Sequence, residues 1–503
     1  MQIRVVADEP WDIPADILVV PLLEPVGFDG AWGELDRRTD GELSALAAMG
    51  ELRGKRFSAK LVRAGEMRAT RLMAVVGGEA DYLDREAVVH IAAGAMRRLG
   101  GRDVHSVAVW LSPMAERLAG GGEAVAELVA RGIVEGSFEP KALYVDNAED
   151  IPPSLDVLTL IAPGESRAAL AAAAERGRVM GEGANLARML SNRSANDVTP
   201  AVLADEARGL AEQHGLWIDV IEPDRAAELG MGLFLAVGQG SDNPPQMIVM
   251  RSGGEGELDA LGRHLAIIGK GVCFDSGGIS LKPADRMEEM KMDKAGACTV
   301  IAALVTVARL APGLPMLALA PAVENMPGSH STRPGDIVRG LNGKAVDITN
   351  TDAEGRLILA DALTYAEQLG ATHLVDTATL TGAVGRALGE LVSGAFGTPQ
   401  SFMDDVLVAA HQAGERFWQL PLVDEYRADM ESWSADLVNF SRNNEGGLVK
   451  SALFIEAFVT KPWVHLDIAG TGYYRRIAPY APRGATGFSH APLVELALAG
   501  AKG

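Results

Sequence analysis

Short apolar runs of strand length alternate with runs of helical spacing along almost the whole chain, and this alternation constrains the fold more than any other feature. Within the first 165 residues, "ILVVPL", "RLMAVVG", "SVAVWL" and "VLTLIAP" have the length and composition of buried strands. Among them, "REAVVHIAAGAMRRLG" carries its apolar residues at helical spacing. Further on come "LWIDVIE", "HLAIIGKGVCF", "MLALAPAV", "THLVDTATL" and "WVHLDIAG", with helices such as "AGACTVIAALVTVARL" between them. Strands and helices that alternate in this way bury their apolar faces by layering helices on sheets, so the expected class is α/β.

At 503 residues the chain is too long for one ordinary core. The expectation is a small N-terminal α/β domain over 1–165 and a larger C-terminal α/β domain over 166–503, the latter with a central mixed sheet flanked by helices. "ESRAALAAAAERGRVMGEGANLARML" is strongly helical and predicts a connecting helix over 166–192. "EDIPPSLD" reads as a turn-rich loop ahead of the last strand of the first domain.

Charge and cysteine usage narrow the function. There are 46 basic and 67 acidic side chains, a net charge of -21, which repels phosphate backbones and anionic membranes. Nucleic acid is therefore a disfavoured partner. The most apolar stretch, "VIAALVTVARLAPGLPMLALAPAV", is broken by Arg309, Pro312, Pro315 and Pro321, so no membrane span is expected. Two cysteines, Cys273 and Cys298, form neither a CxxC pair nor a disulfide framework and point to a reducing compartment. The opening "MQIRVVADEPWDIPADILVVPL" has no basic head, apolar middle and small-residue cleavage site. The expected location is cytoplasmic.

Nearly every polar cluster suited to chemistry falls between Lys270 and Arg356. In "IIGKGVCFDSGGISLKP" an apolar strand ends in Lys270, and Asp275 and Lys282 follow in a glycine-rich loop. This is not a P-loop, because Gly271 stands where Ser or Thr is needed and no glycine lies five positions before Gly269. Singly, the two lysines read as surface groups and Asp275 as a turn residue. Asp293 stands just before a helix of small and apolar residues and reads, taken alone, as its N-cap. "NTDAEGRL" sets Asp352 and Glu354 two positions apart ahead of a helical run. In extended chain, such side chains share a face with Cα atoms roughly 6.5–7 Å apart. Two carboxylates so held can converge on divalent cations roughly 3.5–4 Å apart. They also complement a helix dipole, and the two readings are compatible. Four carboxylates at strand and helix junctions offer hard oxygen ligands that suit Mn²⁺, Mg²⁺ or Zn²⁺. The nine histidines are scattered, and HExxH is absent.

These blocks resemble the leucyl aminopeptidase family, the two-metal cytosolic aminopeptidases. "NTDAEGRL" stands as that family's signature without a change, and "GKGVCFDSGGISLKP", "ENMPGSHSTRPGDIV", "DTATLTGA" and "HLDIAGT" match in the family's order, as does the earlier "NLARMLSN…NDVTP". The likeness covers roughly residues 170–500, while the first domain resembles the family in size and general pattern.

The resemblance implies an aminopeptidase that releases N-terminal, leucine-like residues from peptides and amino-acid amides. Lys270, Asp275, Asp293 and Glu354 would hold one of two divalent ions (Mn²⁺ or Zn²⁺) in each subunit of a homohexamer. Asp275, Asp352 and Glu354 would hold the other. Lys270 ligates only when neutral, far from its solution pKa of about 10.4. Lys282 would stabilise the oxyanion, and Arg356 would hold a bicarbonate that relays the proton. A water shared by two cations loses a proton near neutral pH and becomes the nucleophile. Asp293 would accept from the substrate's free α-amine, which limits cleavage to the first residue. Met290, Thr379, Gly382 and Ala485 would line the pocket for its side chain, where one methylene is discriminated by only about 1–3 kcal/mol.

Three features depart from the family pattern. Lys294 beside Asp293 either points outward or weakens the metal. Lys450 stands where a smaller residue is usual, and "GYYRRIAPYAPRGATG" carries a run of tyrosines and arginines near the pocket. Two further readings belong to other classes. A regulatory DNA-binding protein would need a basic patch, for which "RATR" and "AMRRLGGR" are the candidates. An inactive scaffold would have lost a ligand, Lys282 or Arg356, and none is lost.

Overall fold

The structure, a computed structural model, describes residues 1–52, 54–146, 149–443 and 445–501. Its contacts divide the chain into two units, Met1–Asn185 with Arg475–Arg483, and Leu186–Tyr474 with Gly484–Gly503. Both are α/β, as the alternating pattern predicts. The connecting helix runs Arg167–Asn192, and the division falls inside it rather than at its start. Among the described residues no helix is long and apolar enough to cross a membrane.

The first unit is built on one six-stranded sheet. Its strands are β1 (Gln2–Val6), β2 (Ile17–Glu24), β3 (Ala59–Arg63), β4 (Arg71–Glu79), β5 (Ser106–Trp110) and β6 (Val157–Ile161), in the order β1-β6-β5-β2-β4-β3. All neighbours are parallel except the edge pair β3–β4. Parallel strands covered on both faces read as continuous apolar runs, which is why "ILVVPL" does not alternate. Ile17 and Val19 face the helices Arg85–Arg97 and Gly121–Gly136, whereas Leu18, Val20 and Leu22 face Leu35 and Leu43. Asp84 caps the first of these helices by accepting from the Ala87 N–H at 2.8 Å. The returning segment Arg475–Arg483 joins this unit through Tyr480, which stacks on His90 with centroids 3.6 Å apart and meets the Phe57 ring edge-on at 5.4 Å.

The second unit holds a nine-stranded mixed sheet. Its strands are β7 (Trp217–Ile221), β8 (Gln246–Ser252), β9 (Leu265–Gly269), β10 (Gly271–Asp275), β11 (Met316–Asn325), and, after a small sheet formed by β12 (Asp336–Arg339), β13 (Ala345–Ile348) and a later strand, β14 (His373–Ala378), β15 (Ser393–Thr398) and β16 (Phe417–Gln419). The small sheet is completed by β17 (Leu437–Val438), and the large one by β18 (Trp463–Asp467). The order is β16-β15-β18-β14-β9-β11-β8-β7, with β10 paired to β11. The centre, β18-β14-β9-β11, is parallel throughout. A short ribbon of β19 (Tyr473–Tyr474) and β20 (Gly484–Ala485) pairs with no strand of these sheets.

Two helices, Ala295–Leu310 and Gly355–Gln368, are apolar nearly all round and buried over most of their length. They lie on opposite faces of the central strands. Ala266 and Ile268 of β9 share a core with Leu357–Leu363. The absent side chain of Gly269 points the other way, where a Cβ would meet the Gly296 carbonyl oxygen at 2.2 Å. The parallel strands therefore release their carboxyl ends between two helix starts, where α/β proteins gather ligands.

Candidate metal centre

Lys270 is the single residue between β9 and β10, and its buried side chain reaches three acceptors. Its Nζ lies 2.8 Å from Asp293 Oδ2 and 2.7 Å from Glu354 Oε1, and donates to the Thr379 carbonyl at 3.1 Å. Asp275 ends β10. Its Oδ1 accepts from the Gly277 N–H and from Asn325 Nδ2, both at 2.9 Å, and its Oδ2 is 2.6 Å from Lys282 Nζ. The same ammonium is 2.6 Å from Asp352 Oδ1. Gly277 makes this turn possible: φ is +88°, and a Cβ there would sit 2.8 Å from Asp352 Oδ1. Gly355 has a similar role, since a Cβ would meet the Lys270 side chain at 2.7 Å.

Two local expectations are corrected. Asp293 does not cap the helix Ala295–Leu310; the capping position is Lys294, and no side chain bonds there. Asp293 closes a 3-10 helix, Met287–Met292, and its Oδ1 accepts from Thr379 Oγ1 at 2.7 Å. Asp352 and Glu354 do not lie on extended chain either. The Asp352 N–H donates to Asn350 Oδ1 at 2.9 Å in an Asx turn, and Glu354 already has helical angles, φ -78° and ψ -37°. The side-chain bond of Asn350 and the start of the helix override the extended geometry, and the two lysines bring the carboxylates together instead.

Oxygens of Asp275, Asp293 and Glu354 all lie within 4.8 Å of one another. Glu354 Oε2 is buried with no hydrogen-bond partner. Asp293 Oδ2 and Asp352 Oδ1 have only an ammonium against them, off hydrogen-bond alignment. Four carboxylates thus outnumber two lysines, and a buried anion this poorly satisfied is costly. This set of hard oxygen donors fits a divalent cation.

The protonation equilibria carry the same mark. Burial, then Glu354 and Asp293, push the Asp275 carboxyl up to about 8. Burial pushes Asp293 up to about 6 despite Lys270, and raises Asp352 as well. For Glu354, burial is outweighed by Lys270 and Lys282, and it is held below the usual range. Burial opposes the charge on both lysines, but the surrounding carboxylates raise them.

Arg356 stands one residue into the helix Gly355–Gln368, buried, with no carboxylate among its bonding partners. Its Nη1 donates to the Asn439 carbonyl at 2.8 Å and its Nη2 to Ser451 Oγ at 2.7 Å, while Nε has no partner. Burial lowers its pKa to about 10, against the fields of Glu354 and Asp467. Of the residues expected to line a side-chain pocket, Thr379 touches the cluster directly, and the Met290 carbonyl accepts from the Asp293 N–H at 3.3 Å. Gly382 opens the helix Gly382–Leu388. Ala485 is held from Asn192, whose Oδ1 accepts its N–H at 3.0 Å. A Cβ on Gly472, which adjoins the ribbon, would touch the Thr379 methyl at 3.3 Å.

Lys294 neither points outward nor faces the metal ligands. It is buried, and its Nζ donates to the carbonyls of Arg193 at 2.9 Å and Lys291 at 2.5 Å. Lys450 is buried too, 2.5 Å from Asp429 and donating to the Asn443 carbonyl at 2.9 Å.

Three supporting residues escaped the sequence reading. Asn325 orients Asp275, as above. Asn439 holds the signature loop, donating to the Asn350 carbonyl at 2.6 Å and accepting from the Thr349 N–H at 2.9 Å. Asp467, fully buried at the end of β18, accepts from Thr381 Oγ1 at 2.7 Å and from the N–H groups of Leu380, Thr381 and Ala469. It thereby shapes the turn that carries Thr379. Asn325 and Asp467 do sit inside the matching blocks, where a polar residue closing an apolar strand is a usable signal. Asn439 has no such mark.

A mixed sheet that collects buried carboxylates and lysines at its strand ends defines a two-domain α/β protein with a candidate divalent-metal site. Two family models match the chain: the cytosol aminopeptidase family catalytic domain over residues 185–494 and its N-terminal domain over 19–143. The second match extends the likeness into the first domain, where the quoted motifs did not reach. A probable cytosol aminopeptidase of Solibacter usitatus is 42% identical over 99% of both chains, and one of Geobacter sp. is 39% identical over 98% of this chain and 99% of that one. Among solved structures, a mutant tomato leucine aminopeptidase superposes with a TM-score of 0.87 at 30% identity, covering 99% of this chain and 96% of that one. A bottromycin maturation enzyme in complex with Mn gives 0.81 at 32% identity, covering 96% and 99%. The chain belongs to the cytosol aminopeptidase family, and it is a metal-dependent aminopeptidase.

Proposed function

We propose that the chain removes N-terminal, preferentially leucine-like residues from peptides and amino-acid amides, using two divalent ions, Mn²⁺ or Zn²⁺. The observation that carries this reading is the convergence of the Asp275, Asp293 and Glu354 oxygens, with Asp293 Oδ2 and Glu354 Oε2 left without a hydrogen-bond partner. Lys270, Asp275, Asp293 and Glu354 would hold one ion, and Asp275, Asp352 and Glu354 the other. Such ions supply a water acidic enough to act near neutral pH and polarise the scissile carbonyl.

The chain's own residues then divide the remaining work. Lys270 must give up its proton to ligate, and a dication in place of its present carboxylate contacts favours that loss. Lys282 stays charged and stabilises the developing oxyanion. Asp293, already fixed by Thr379, accepts from the substrate's α-amine. Arg356, with a free Nε and no carboxylate partner, holds a small anion such as bicarbonate that carries the proton. Met290, Thr379, Gly382 and Ala485 bound the side-chain pocket. Assembly as a homohexamer and a cytoplasmic location are part of the proposal, and the names of the relatives and the two free, buried cysteines support the latter.

The test is leucine release from leucinamide after chelation and after return of Mn²⁺ or Zn²⁺, with N-acetyl-leucinamide as the blocked control. Activity that returns only with metal and only on the free amine is expected. Hydrolysis of the blocked amide at a comparable rate would refute the amine-anchored reading.

A further inference from the structure

We propose that the first unit carries a second binding site, a cavity for a small organic anion with an apolar body, independent of the metal centre. The cavity is about 530 Å³, within the range of small-molecule sites, and all its walls belong to the first unit. Phe57, Ala59 and the segment around Ile477 form an apolar surface, and Ile477 is 74% exposed. Such a side chain gains by being covered.

The charges on the rim decide what covers it. Arg98 donates only to the Ala59 carbonyl at 3.3 Å, and Arg102 only to the carbonyls of Arg98 and Gly100, each at 2.9 Å. Lys141 is exposed on the same wall. Among the described residues none of these three cations has a carboxylate within ion-pair distance. Arg97 is already neutralised by Glu139 at 2.9 Å, and among the described lining residues Asp150 is the one other acid. In a chain of net charge -21, three unpaired cations facing one apolar hollow is a local reversal of sign. An anionic head answers the cations, with arginine forks suited to carboxylate or phosphate, and an apolar tail answers Phe57 and Ile477. The run "AMRRLGGR" supplies Arg97, Arg98 and Arg102. A concave site of this volume suits a small molecule rather than a duplex.

The test is calorimetric titration of the chelated protein at low ionic strength with hexanoate, hexyl phosphate and neutral hexanamide. One anion per chain is expected, with hexanamide about tenfold weaker or more. The double variant Arg98→Ala/Lys141→Ala, at two exposed positions, should weaken both anions at least about tenfold while leaving metal-restored leucinamide hydrolysis unchanged. Ile477→Glu should weaken them too. Tighter binding of hexyl phosphate identifies a phosphate as the ligand head, and tighter hexanoate a carboxylate. The proposal is overturned if hexanamide binds as well as the anions, if the double variant binds them as the wild type does, if neither anion binds, or if only a duplex oligonucleotide binds this face.

Discussion

Replacing Glu354 by Gln separates the cost of the carboxylate cluster from its use. Without metal at pH 7, Asp275 keeps its proton, so Glu354 is repelled by Asp293 and attracted by Lys270 and Lys282. With oxygens within 4.8 Å, the Glu354–Asp293 pair costs at least about 3.5 kcal/mol at an effective dielectric of about 20. The Lys270 contact at 2.7 Å returns about 6 kcal/mol on the same scale. The attractions exceed the repulsion even against burial, which is why Glu354 is held below the usual range, so Glu354→Gln should destabilise the chelated protein at pH 7 by about 1.5–3 kcal/mol, the worth of a hydrogen bond to a charged group. Metal reverses the picture. A bound ion stabilises the native state by about 2.7 kcal/mol when its concentration is about 100 times Kd, and Glu354 is proposed as a ligand to both ions. Thermal melting of wild type and variant, chelated and reloaded with Mn²⁺, reads both quantities. The wild type should gain clearly on reloading, and Glu354→Gln should lose most of that gain and melt lower than the wild type under chelation. An unchanged metal-induced rise in the variant would refute the assignment. Unchanged stability under chelation would refute the electrostatic reasoning.

Four further outcomes follow from the geometry. Because Asp275 and Asp293 keep protons up to about 8 and 6 and Lys270 must shed one to ligate, metal displaces at least two protons below pH 8, and apparent metal affinity should fall about a hundredfold per unit as pH drops from 8 to 6. The same raised values mean that the metal-free fold binds more protons than the unfolded chain, so its melting temperature should decline as pH rises through this window. Metal titrations and melts at several pH values check both. Asp467→Asn should raise KM more than it lowers kcat, by about tenfold, since hydrogen bonds to a charged group are worth about 1.5–3 kcal/mol and those lost here shape the Thr379 turn; an unchanged KM would remove Asp467 as a positioning residue. Burial lowers the pKa of Lys294, which penalises the fold below that pKa and fades as pH approaches the unfolded value. Lys294→Met should therefore raise the melting temperature at pH 7 with a shrinking advantage at higher pH, and a lower melting temperature at pH 7 would refute this.

Much of this protein was legible from its residues alone. The continuous apolar strands and the intervening helical spacings specify two α/β layers, because side-chain period and burial on both faces are local properties of a segment. The signature around Asp352 to Arg356 is contiguous, so its chemistry survives without coordinates. Tertiary structure decided the rest. It set Thr379 against Asp293 across 86 residues, replaced the expected strand geometry of Asp352 and Glu354 with an Asx turn entering a helix, and buried Lys294 against two carbonyls. It also brought Asn439 under the signature loop and returned Arg475–Arg483 to the first unit. Each of these depends on strand order and on which face of a sheet a helix covers. Such contacts gain their energy only when distant segments meet, so no window of the sequence contains them.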